Sequence, residues 1–583
     1  MRSLTVDHVC QLLARQLESR LRYRLEAPGS VDDGALIDPK TGLIEANETV
    51  AAPVVFAAAV LHLAGWCDPQ GRPWPQRVAP VLEALIREQR ESGCIDLPSC
   101  NIDAEPDTAF ILLQFCAVEE LARQVEAEGG TGTVGAGGGG DAEAAWARLR
   151  ERMLHFVRRA VAGVARGGFH TPNHRWVIAA ALSWAGALWP ELDSEATVKP
   201  LLDEGYDVDA DGFFIERSSG GYDAINVRCL WRLYLLREDV SAEQAALANL
   251  ETNLHMLHAD GTIETALSTR QDRGVTLVPD GLIDGYLMAA HFAEARDDTR
   301  RWLAAAEHLW QAGAPRPGNA PWIAFTLMRC GTGEGAATAE PATDVPPQRY
   351  VRVFAGQKLT RRREELLSVS VVAEPPLLTL HYGEAALVGL HVRHCYFGAA
   401  GDFLPSSMEV IEGENGPAGV QLTATGREGD PRRPAYEMAL GRPVANAQWE
   451  QALAERTQRP MPPAAAALTV RWVKGGLSLS LRSTRAPAGV LVQIAFDFAP
   501  GGHWQSGECA LIPAAGQVLH LRHGRAVMRY GPDAIELHGG AAGHDWLTVR
   551  DGTTWPQGPR VVVNLRTPVE HTMTLRGFRG YRQ

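Results

Sequence analysis

Two short polar segments carry the side chains best suited to chemistry on an acidic ligand. The first is PNHRW, residues 172–176, and the second spans residues 216–228 and contains Tyr222. Amide, imidazole and guanidinium groups donate hydrogen bonds to carboxylates, and tyrosine and histidine transfer protons. The two segments therefore predict a site in which Asn173, His174 or an arginine holds an anionic group beside Tyr222.

Each segment is predicted to begin a helix. Thr171 can cap the first helix, with Pro172 in its first turn. Ser218 or Ser219 can cap the second helix, which places Tyr222 near the end of its first turn. Because the N-terminus of a helix has unpaired N–H groups and partial positive charge, both helix starts would favour an anionic ligand.

Other polar or aromatic side chains near these segments are candidates for binding substrate. They are Asp107, Arg175, Trp176, Glu216, Asn226, Arg228, Arg270 and Arg273. The formal charge of −13 argues against a general nucleic-acid or polyanion binder, so an anionic substrate requires basic groups gathered in one cleft. Asn226 follows Tyr222 by four positions and shares its helical face, whereas Arg228 does not.

The sequence leaves a structural interpretation open for each of these residues. Asn173 could occupy a helix start without a further role, and His174 could be a hydrogen-bonded histidine at the rim. Tyr222 could be a core aromatic residue whose hydroxyl binds a neighbour. Arg270 and Arg273 could bind acid groups or fix the loop that contains them.

A repeated spacing links several of these positions. Tyr222 follows Asn173 by 49 positions, and Arg270 follows Tyr222 by 48. The segment DADGFFIE at 209–216 is echoed by ADGTIE at 259–264, with the Asp-Gly pairs again 49 apart. This period suits a pair of antiparallel helices with its loops, and stacked pairs around an axis would bring alternate helix starts to one rim. The alternative is chance spacing between ordinary caps.

Residues 1–332 have the pattern of helices joined by polar loops. Apolar stretches, most with a helical period, occur at 48–66, 76–90, 107–127, 143–166, 172–188, 221–237, 241–258, 281–296, 300–312 and 320–330. The Gly-rich segment 129–141 lacks the Lys-Ser/Thr ending of a phosphate-binding loop and follows a helix, which argues against nucleotide binding.

The chain start and the cysteines indicate a cellular compartment. The first residues read as an amphipathic helix without the apolar centre of a signal peptide, and no run of about 18 apolar residues occurs. The nine cysteines are scattered and favour buried, reduced thiols, although Cys94 and Cys100 could pair. We expect a cytoplasmic protein without a membrane span, or a periplasmic one if a signal peptide has been removed.

After a Gly/Ala/Pro-rich linker at 333–348, the pattern changes to short segments with a period of two. Examples are RYVRVFAG, LLSVSVVAE, LLTLHYG, LVGLHVRHCYFG, GVLVQIAFDFA, WLTVRDG and RVVVNLRT, separated by Gly, Pro and Asp turns. More than 200 residues of this type predict an antiparallel β-sandwich at 349–583. The predicted fold class is therefore a multidomain α + β protein, with an N-terminal α/α toroid at 1–332 and a C-terminal sandwich.

The run PNHRW, followed 40–50 residues later by a DG…E..S..Y signature, resembles the heparinase II/III-like polysaccharide lyases. The resemblance implies an incomplete (α/α) toroid followed by an antiparallel β-sandwich. It also implies β-elimination across the C4–O bond of a uronic acid in an acidic glycan.

The resemblance further implies roles for individual residues. Asn173 or His174 would neutralise the uronate carboxylate and Tyr222 would transfer protons. A histidine of the sandwich would complete the site, with His391 and His394 as the leading candidates and His381 and Tyr382 behind them. Some members of the family bind a structural zinc or calcium ion, but no ligand spacing here supports a metal, so no cofactor is expected.

Three functions follow from these observations. The first is a lyase for uronate-containing poly- or oligosaccharides. The second is a glycoside hydrolase with Asp107 and Glu216 as paired carboxylates. The third is a non-catalytic glycan-binding protein. The sequence leaves open the uronate, its linkage, endo or exo action and the oligomeric state; no nucleic-acid or membrane partner is expected.

Overall fold

The computed structural model describes residues 3–39, 41–45, 47, 50–98, 100–129, 140–167, 171–292, 299–330, 345–396, 399–414, 416–425, 435–460, 465–547 and 557–580. The chain divides into two compact units. One comprises Met1–Leu257 and Gly261–Pro346, and the other comprises His258–Asp260 and Pro347–Gln583. The predicted linker lies largely outside the described residues, as does most of the predicted Gly-rich loop.

The first unit is helical. Its helices are α1 (Val6–Leu21), α2 (Ala51–Leu63), α3 (Trp74–Glu88), α4 (Glu105–Ala127), α5 (Gly140–Val164), α6 (Pro172–Leu188), α7 (Glu195–Asp203), α8 (Tyr222–Arg237), α9 (Val240–Met256), α10 (Leu282–Phe292), α11 (Thr299–Ala312) and α12 (Ala320–Cys330). Two short hairpins, β1 (Leu36–Ile37) with β2 (Ile44–Glu45) and β3 (Ile95–Leu97) with β4 (Asn101–Ala104), complete it. Each predicted apolar stretch overlaps one helix, with ends that differ by a few residues, whereas α7 was not predicted.

The apolar patterns explain where these helices pack. Helix α2 is apolar on all sides and nearly all of its residues are buried. Helix α5 buries Leu149, Met153 and Phe156 along one stripe and is charged elsewhere. Among the described residues, α2 packs on α4, α4 on α6, α6 on α8, α8 on α10, α10 on α12, and α12 on α2. Helices α3, α5, α9 and α11 pack against members of this cycle.

The predicted spacing of 49 residues recurs as a repeated turn. An isolated β-bridge joins Val208 to Phe214, and an equivalent bridge joins Leu257 to Ile263, 49 positions later. Each turn contains a glycine with a left-handed backbone, Gly212 with φ 86° in the first. The first turn leads into α8, and the second leads into the loop that contains Arg270.

The second unit is built mainly from strands. They are β5 (Arg349–Phe354), β6 (Leu359–Glu364), β7 (Leu367–Val372), β8 (Leu378–Tyr382), β9 (Ala385–Tyr396), β10 (Ala399–Asp402), β11 (Ser407–Gly413), β12 (Gly416–Ala424), β13 (Ala435–Glu437), β14 (Gln458–Pro460), β15 (Ala465–Val473), β16 (Gly476–Arg485), β17 (Leu491–Phe498), β18 (His503–Ser506), β19 (Ala510–Leu511), β20 (Val518–His520), β21 (Arg525–Tyr530), β22 (Asp533–His538), β23 (Arg560–Arg566) and β24 (Glu570–Arg579). A short helix, α13 (Trp449–Ala454), lies between β13 and β14.

Two large sheets form this unit. One has the order β20-β23-β17-β9-β8-β7-β6-β5, with β10 paired to β9, and the other has the order β11-β12-β15-β16-β24-β22-β21-β18-β19. Pairing is antiparallel except between β20 and β23. Alternating residues of both sheets, such as Leu390 and Val392 of β9 and Leu479 and Leu481 of β16, form one hydrophobic core. The predicted antiparallel sheets are therefore confirmed.

Most of the predicted strand segments contain a strand. The segment WLTVRDG does not do so in its described part, Trp546–Leu547, and its remaining residues lie outside the described ranges. Strand β6 was not predicted, because its sequence LTRRRE is strongly charged. Two of its arginines, Arg361 and Arg363, are nevertheless buried.

All nine cysteines are free, and Cys94 is buried whereas Cys100 is exposed, so the alternative pairing of these two does not occur. The prediction of reduced thiols holds for the buried Cys10, Cys116 and Cys229 as well. Within the described ranges, none of the helices combines the length and apolar character needed to cross a membrane.

The repeated turn gives a prediction about stability. A Cβ atom at Gly212 would lie 2.5 Å from the carbonyl oxygen of Ala248, in addition to the cost of its left-handed backbone. Gly205 has a similar φ of 76°, but a Cβ atom there would meet no other residue within 4 Å. Gly205→Ala should therefore cost about 1–2 kcal/mol, and Gly212→Ala clearly more. Calorimetric unfolding of both variants checks this; equal losses would contradict it.

Candidate functional site

The start of α8 is fixed by Ser218. Its hydroxyl accepts a hydrogen bond from the backbone N–H of Tyr222 at 3.1 Å, and its carbonyl accepts from the N–H of Asp223 at 3.0 Å. The helix begins at Tyr222, with Gly221 in the capping position. The prediction that Tyr222 ends the first turn was therefore wrong, because residues 218–221 form a separate turn before the helix.

The start of α6 lies at the predicted position. Thr171 precedes the helix and Pro172 is its first residue. The Thr171 hydroxyl donates to Oδ1 of Asn173 at 2.6 Å instead of accepting from a helix N–H, so the predicted side-chain cap does not form. Asn173 is buried, and its Nδ2 has no hydrogen-bond partner within the described part of the chain. A buried donor of this kind is unfavourable unless it acquires an acceptor.

The loop around Arg270 is bound to the segment before α8. The carboxylate of Asp272 accepts from the hydroxyl of Ser218 at 2.9 Å, from the N–H of Gly220 at 3.0 Å and from the hydroxyl of Ser268. The N–H of Thr269 donates to the carbonyl oxygen of Glu216 at 3.0 Å. The bonds of Ser218, Gly220 and Glu216 to this loop bring residues 52–54 positions apart in sequence into one site.

The hydroxyl of Tyr222 lies between two side chains of that loop. It donates to Oε1 of Gln271 at 3.2 Å and accepts from Nη2 of Arg270 at 3.3 Å. The Arg270 guanidinium also lies over the Tyr222 ring, 4.5 Å from its centroid. A cation at this position stabilises negative charge that develops on the hydroxyl oxygen during proton transfer.

Glu216 is the buried acid of the site. Its Oε1 lies 3.4 Å from Nε of Arg270, and neither carboxylate oxygen makes a well-formed hydrogen bond within the described ranges, although the backbone N–H of Asn173 is near enough to lower its pKa. Burial raises the pKa of Glu216 to about 7, with further raising by Asp207 and Asp223, although Arg270 opposes the shift. The carboxyl group can therefore exchange a proton near neutral pH, which is typical of functional sites.

Asp223 binds the first turn of α8 to helix α9. Its Oδ2 accepts from the amides of Asn249 and Asn253, each at 3.1 Å, and burial raises the pKa of Asp223 to about 6. In the next turn, Asn226 is also buried, and its Oδ1 lacks a partner within the described part of the chain. These polar groups fix the helix and its orientation.

Several predicted binding residues have structural partners. Arg175 forms ion pairs with Glu204 and with Asp207, the latter at 3.3 Å. Trp176 is buried and donates its indole N–H to Asp207 at 3.0 Å. Arg228 is held by a buried carboxylate, with Nε and Nη2 at 2.7 and 2.9 Å from the oxygens of Asp284.

The remaining predicted residues of this unit lie in mixed environments. His174 is half-buried, with its ring edge-on to Phe110 at 6.2 Å. Asp107 is buried and accepts from Nδ2 of Asn101 at 3.1 Å; burial raises its pKa. Arg273 is exposed in the loop that carries Arg270.

The candidate histidines of the sandwich lie on opposite faces of β9. The register with β17 is unbroken from His391 to His394, so the two side chains alternate, as predicted for residues three apart. His394 is buried on the face that also carries Leu390 and Val392, and burial lowers its pKa to about 4. His391 lies 3.4 Å from Asp497 on the other face.

His381 stacks on His258 at 3.6 Å within the second unit. Tyr382, at the end of β8, is half-buried. That a histidine of the sandwich takes part in the reaction stays a prediction. No group of three or more His, Cys, Asp or Glu residues suited to a metal ion occurs in the described part of the chain.

Three contributors were missed from the sequence. Asp272 and Gln271 lie beside Arg270 and could have been found by extending the repeat spacing from Arg270 to its neighbours. Asp207, which binds Arg175 and Trp176, gave no signal of its own because it lies in a loop of ordinary polar residues.

Comparisons with known proteins show the fold. No protein-family model and no curated protein matches the sequence. The chondroitin AC lyase of Streptomyces coelicolor A3, solved with chondroitin sulphate, aligns over 99% of this chain and 80% of its own, at 13% identity and a TM-score of 0.52. A xanthan lyase of Paenibacillus aligns over 99% of this chain but only 57% of its own, at 9% identity and a TM-score of 0.53.

The heparan sulfate lyase HepC of Pedobacter heparinus matches over 99% of this chain and 84% of its own, at 10% identity and a TM-score of 0.48. The two structures with higher TM-scores share the fold of this chain. The chain therefore has a polysaccharide-lyase-like fold, with helices first and antiparallel sheets after them, as the resemblance implied.

The raised pKa of Glu216 predicts a pH dependence of stability. Between its ordinary pKa of 4.5 and about 7, the folded state keeps a proton that the unfolded state has lost, so stability falls as the pH rises through this window. Glu216→Gln should match the parent below pH 4.5 and exceed its stability by about 1–3 kcal/mol above pH 7.

The matched control is Glu195→Gln. The side-chain hydrogen bond from Arg237 lowers the pKa of Glu195. Replacing Glu195 should therefore lower the stability of the protein near neutral pH, the opposite of the effect expected for Glu216→Gln. Because Glu195 is 46% exposed, this effect should stay below about 1 kcal/mol. The measurement is the free energy of unfolding of each variant between pH 4 and pH 8. If Glu216→Gln shows the same dependence of this free energy on pH as the parent, the pKa of Glu216 is not raised.

The buried Arg228–Asp284 pair predicts a structural role for Arg228. Arg228→Met leaves the Asp284 carboxylate buried without its partner, which should destabilise the protein by about 3–5 kcal/mol. A double variant that also carries Asp284→Leu should recover much of the lost stability. A stable Arg228→Met protein with a raised KM for substrate would instead indicate direct binding of substrate by Arg228.

Proposed function

We propose that this protein is a polysaccharide lyase that cleaves uronate-containing glycans by β-elimination. The observation that carries the proposal is the position of the Tyr222 hydroxyl, held between Arg270 and Gln271 at a helix start, with the buried Glu216 next to Arg270. The polysaccharide-lyase-like fold supports the same class of reaction.

The chemistry requires one base, one acid and a stabilised carboxylate. Removal of the uronate C5 proton leaves an electron pair that forms the C4–C5 double bond, while the C4–O4 bond breaks and O4 takes a proton. Negative charge builds on the carboxylate during this step, so donors aimed at it are the largest expected catalytic contribution. Asn173 and His174 supply such donors at the start of α6.

Tyr222 is the proposed proton-transfer residue. Its oxygen accepts from Arg270, so the guanidinium would stabilise charge on the phenolate when the proton has left. One tyrosine could serve as base and then as acid if the proton and the leaving group depart from one face of the sugar. With departure from opposite faces, a second group such as a histidine must act as the base.

Glu216 and Asp272 are the proposed positioning residues. Glu216 attracts the Nε side of the Arg270 guanidinium by its charge, and Asp272 holds the loop through Ser218. Both therefore act on the reaction through Arg270 and Tyr222. The closed cycle of contacts among α2, α4, α6, α8, α10 and α12 supports the toroid of the proposed family, and the two packed sheets support its sandwich.

A glycoside hydrolase remains the second candidate, because burial raises the pKa of both Asp107 and Glu216, as expected for a general acid. The products distinguish the two reactions. Elimination gives an unsaturated uronate that absorbs in the ultraviolet and is one water lighter than the product of hydrolysis.

The test is product analysis with a panel of uronate oligosaccharides. We expect ultraviolet absorbance to rise with at least one of them, and Tyr222→Phe to lower turnover by about 10²–10⁴-fold. Tyr234→Phe, on the same helix, is the control that should retain activity. Products one water heavier, lost in Glu216→Gln but retained in Tyr222→Phe, would establish hydrolysis instead.

A further inference from the structure

The second unit contains a cleft of about 320 Å³ at one end of its strands. It is lined by β18, the loop after β20, the outward side chains of β21, and single residues of β22 and β24. Strand β21 alternates, because Ala526 and Met528 enter the hydrophobic core whereas Arg525 and Arg529 line the cleft. The sheet therefore fixes the position of these two cations, and the volume is within the range of small-ligand sites.

The cleft is basic although the chain is acidic. Its ionisable residues are the cationic Arg522, Arg525 and Arg529, the histidines His520 and His523, and the acidic Glu508 and Glu536. With both histidines neutral, the cleft carries one net positive charge in a protein of formal charge −13.

The contacts between the acidic and basic residues of the cleft are long and exposed to solvent. Arg525 lies 3.5 Å from Glu536 and is 66% exposed, and His523 lies 3.6 Å from Glu508 and is 72% exposed. Exposed pairs with such spacing are weak, so an anionic ligand can compete with Glu536 for Arg525. Arg529 is better fixed, because it donates to the carbonyl of Gly580 at 3.0 Å and lies over the Phe578 ring.

We infer that this cleft is a second binding site for an acidic glycan, in which Arg525 and Arg529 hold a carboxylate or sulphate group of the sugar chain. Arginine suits both groups, since its planar guanidinium donates two hydrogen bonds to a pair of oxygens. The preference for an anion rests on the residues of the cleft. The choice of a glycan among anions rests on the proposed function.

The test counts binding sites by isothermal titration calorimetry with a short chondroitin sulphate oligosaccharide. The full chain carries Tyr222→Phe in every sample, so that turnover is suppressed. Adding Arg525→Gln and Arg529→Gln should remove one site, or weaken it by at least about tenfold. The control variant, Arg471→Gln with Arg482→Gln, removes two exposed arginines of the same sheet that lie outside the cleft. It should change neither the number of binding sites nor their affinity for the glycan.

The comparison between variant and parent keeps the two proposals apart. If the site at Tyr222 does not bind this glycan, the parent should still show one site, which the cleft variant loses. Equal binding by parent and cleft variant, with matching unfolding midpoints, would overturn the cleft proposal and leave the elimination assay unaffected.

Two further measurements keep the proposal testable if the double variant does not fold. In the parent, the glycan should slow amide hydrogen exchange in residues 505–508 and 521–525, and unchanged exchange there would count decisively against the site. A neutral oligosaccharide of equal length should give no such protection. If a single-stranded oligonucleotide of equal charge displaces the glycan at a lower concentration, the cleft binds nucleic acid instead.

Discussion

The carboxylate of Asp272 is the group on which the arrangement of the candidate site depends. It binds Ser218 and Gly220 on one side and Ser268 on the other, so it joins two loops that are distant in sequence. Ser218 in turn accepts the N–H of Tyr222 at the first position of α8. The place of the tyrosine and the place of the Arg270 loop are therefore set by the same charged hydrogen bonds, which are stronger than neutral ones.

Around this anchor, the first unit keeps acidic groups buried, and their surroundings decide which of them can react. Asp284 has a bidentate partner in Arg228, and Asp223 has two amide donors. Within the described residues, Glu216 has the guanidinium of Arg270 at 3.4 Å and the backbone N–H of Asn173, which do not offset its burial, so its pKa is raised to about 7. The fully paired acids support the fold, whereas the poorly paired acid lies next to Arg270, which donates to the Tyr222 hydroxyl.

The sequence predicted the helices well because their apolar periods are set by packing, which acts along the whole element. It predicted the order of the two units for the same reason. The sequence did not predict features that depend on a single side-chain contact. The start of α8 depends on one serine hydroxyl. Strand β6 contains the buried Arg361, whose guanidinium donates to Ser370 of β7, and no sequence pattern indicated that burial. The ion pairs of Arg175 with Asp207 and of Arg228 with Asp284 were not predicted, because these partners are distant in the sequence. That the two arginines bind substrate stays a prediction.

The two copies of the repeated turn differ in the surroundings of their acidic residue. Four residues after Gly212 comes Glu216, and three residues after Gly261 comes Glu264, both buried. In the second copy, the carboxylate accepts the N–H of Ala266 at 3.0 Å and so closes its own loop. In the first copy, the carboxylate makes no well-formed hydrogen bond within the described residues and faces Arg270. Two acids at nearly equivalent positions thus differ in their hydrogen bonds, and the acid without a well-formed one lies beside Arg270.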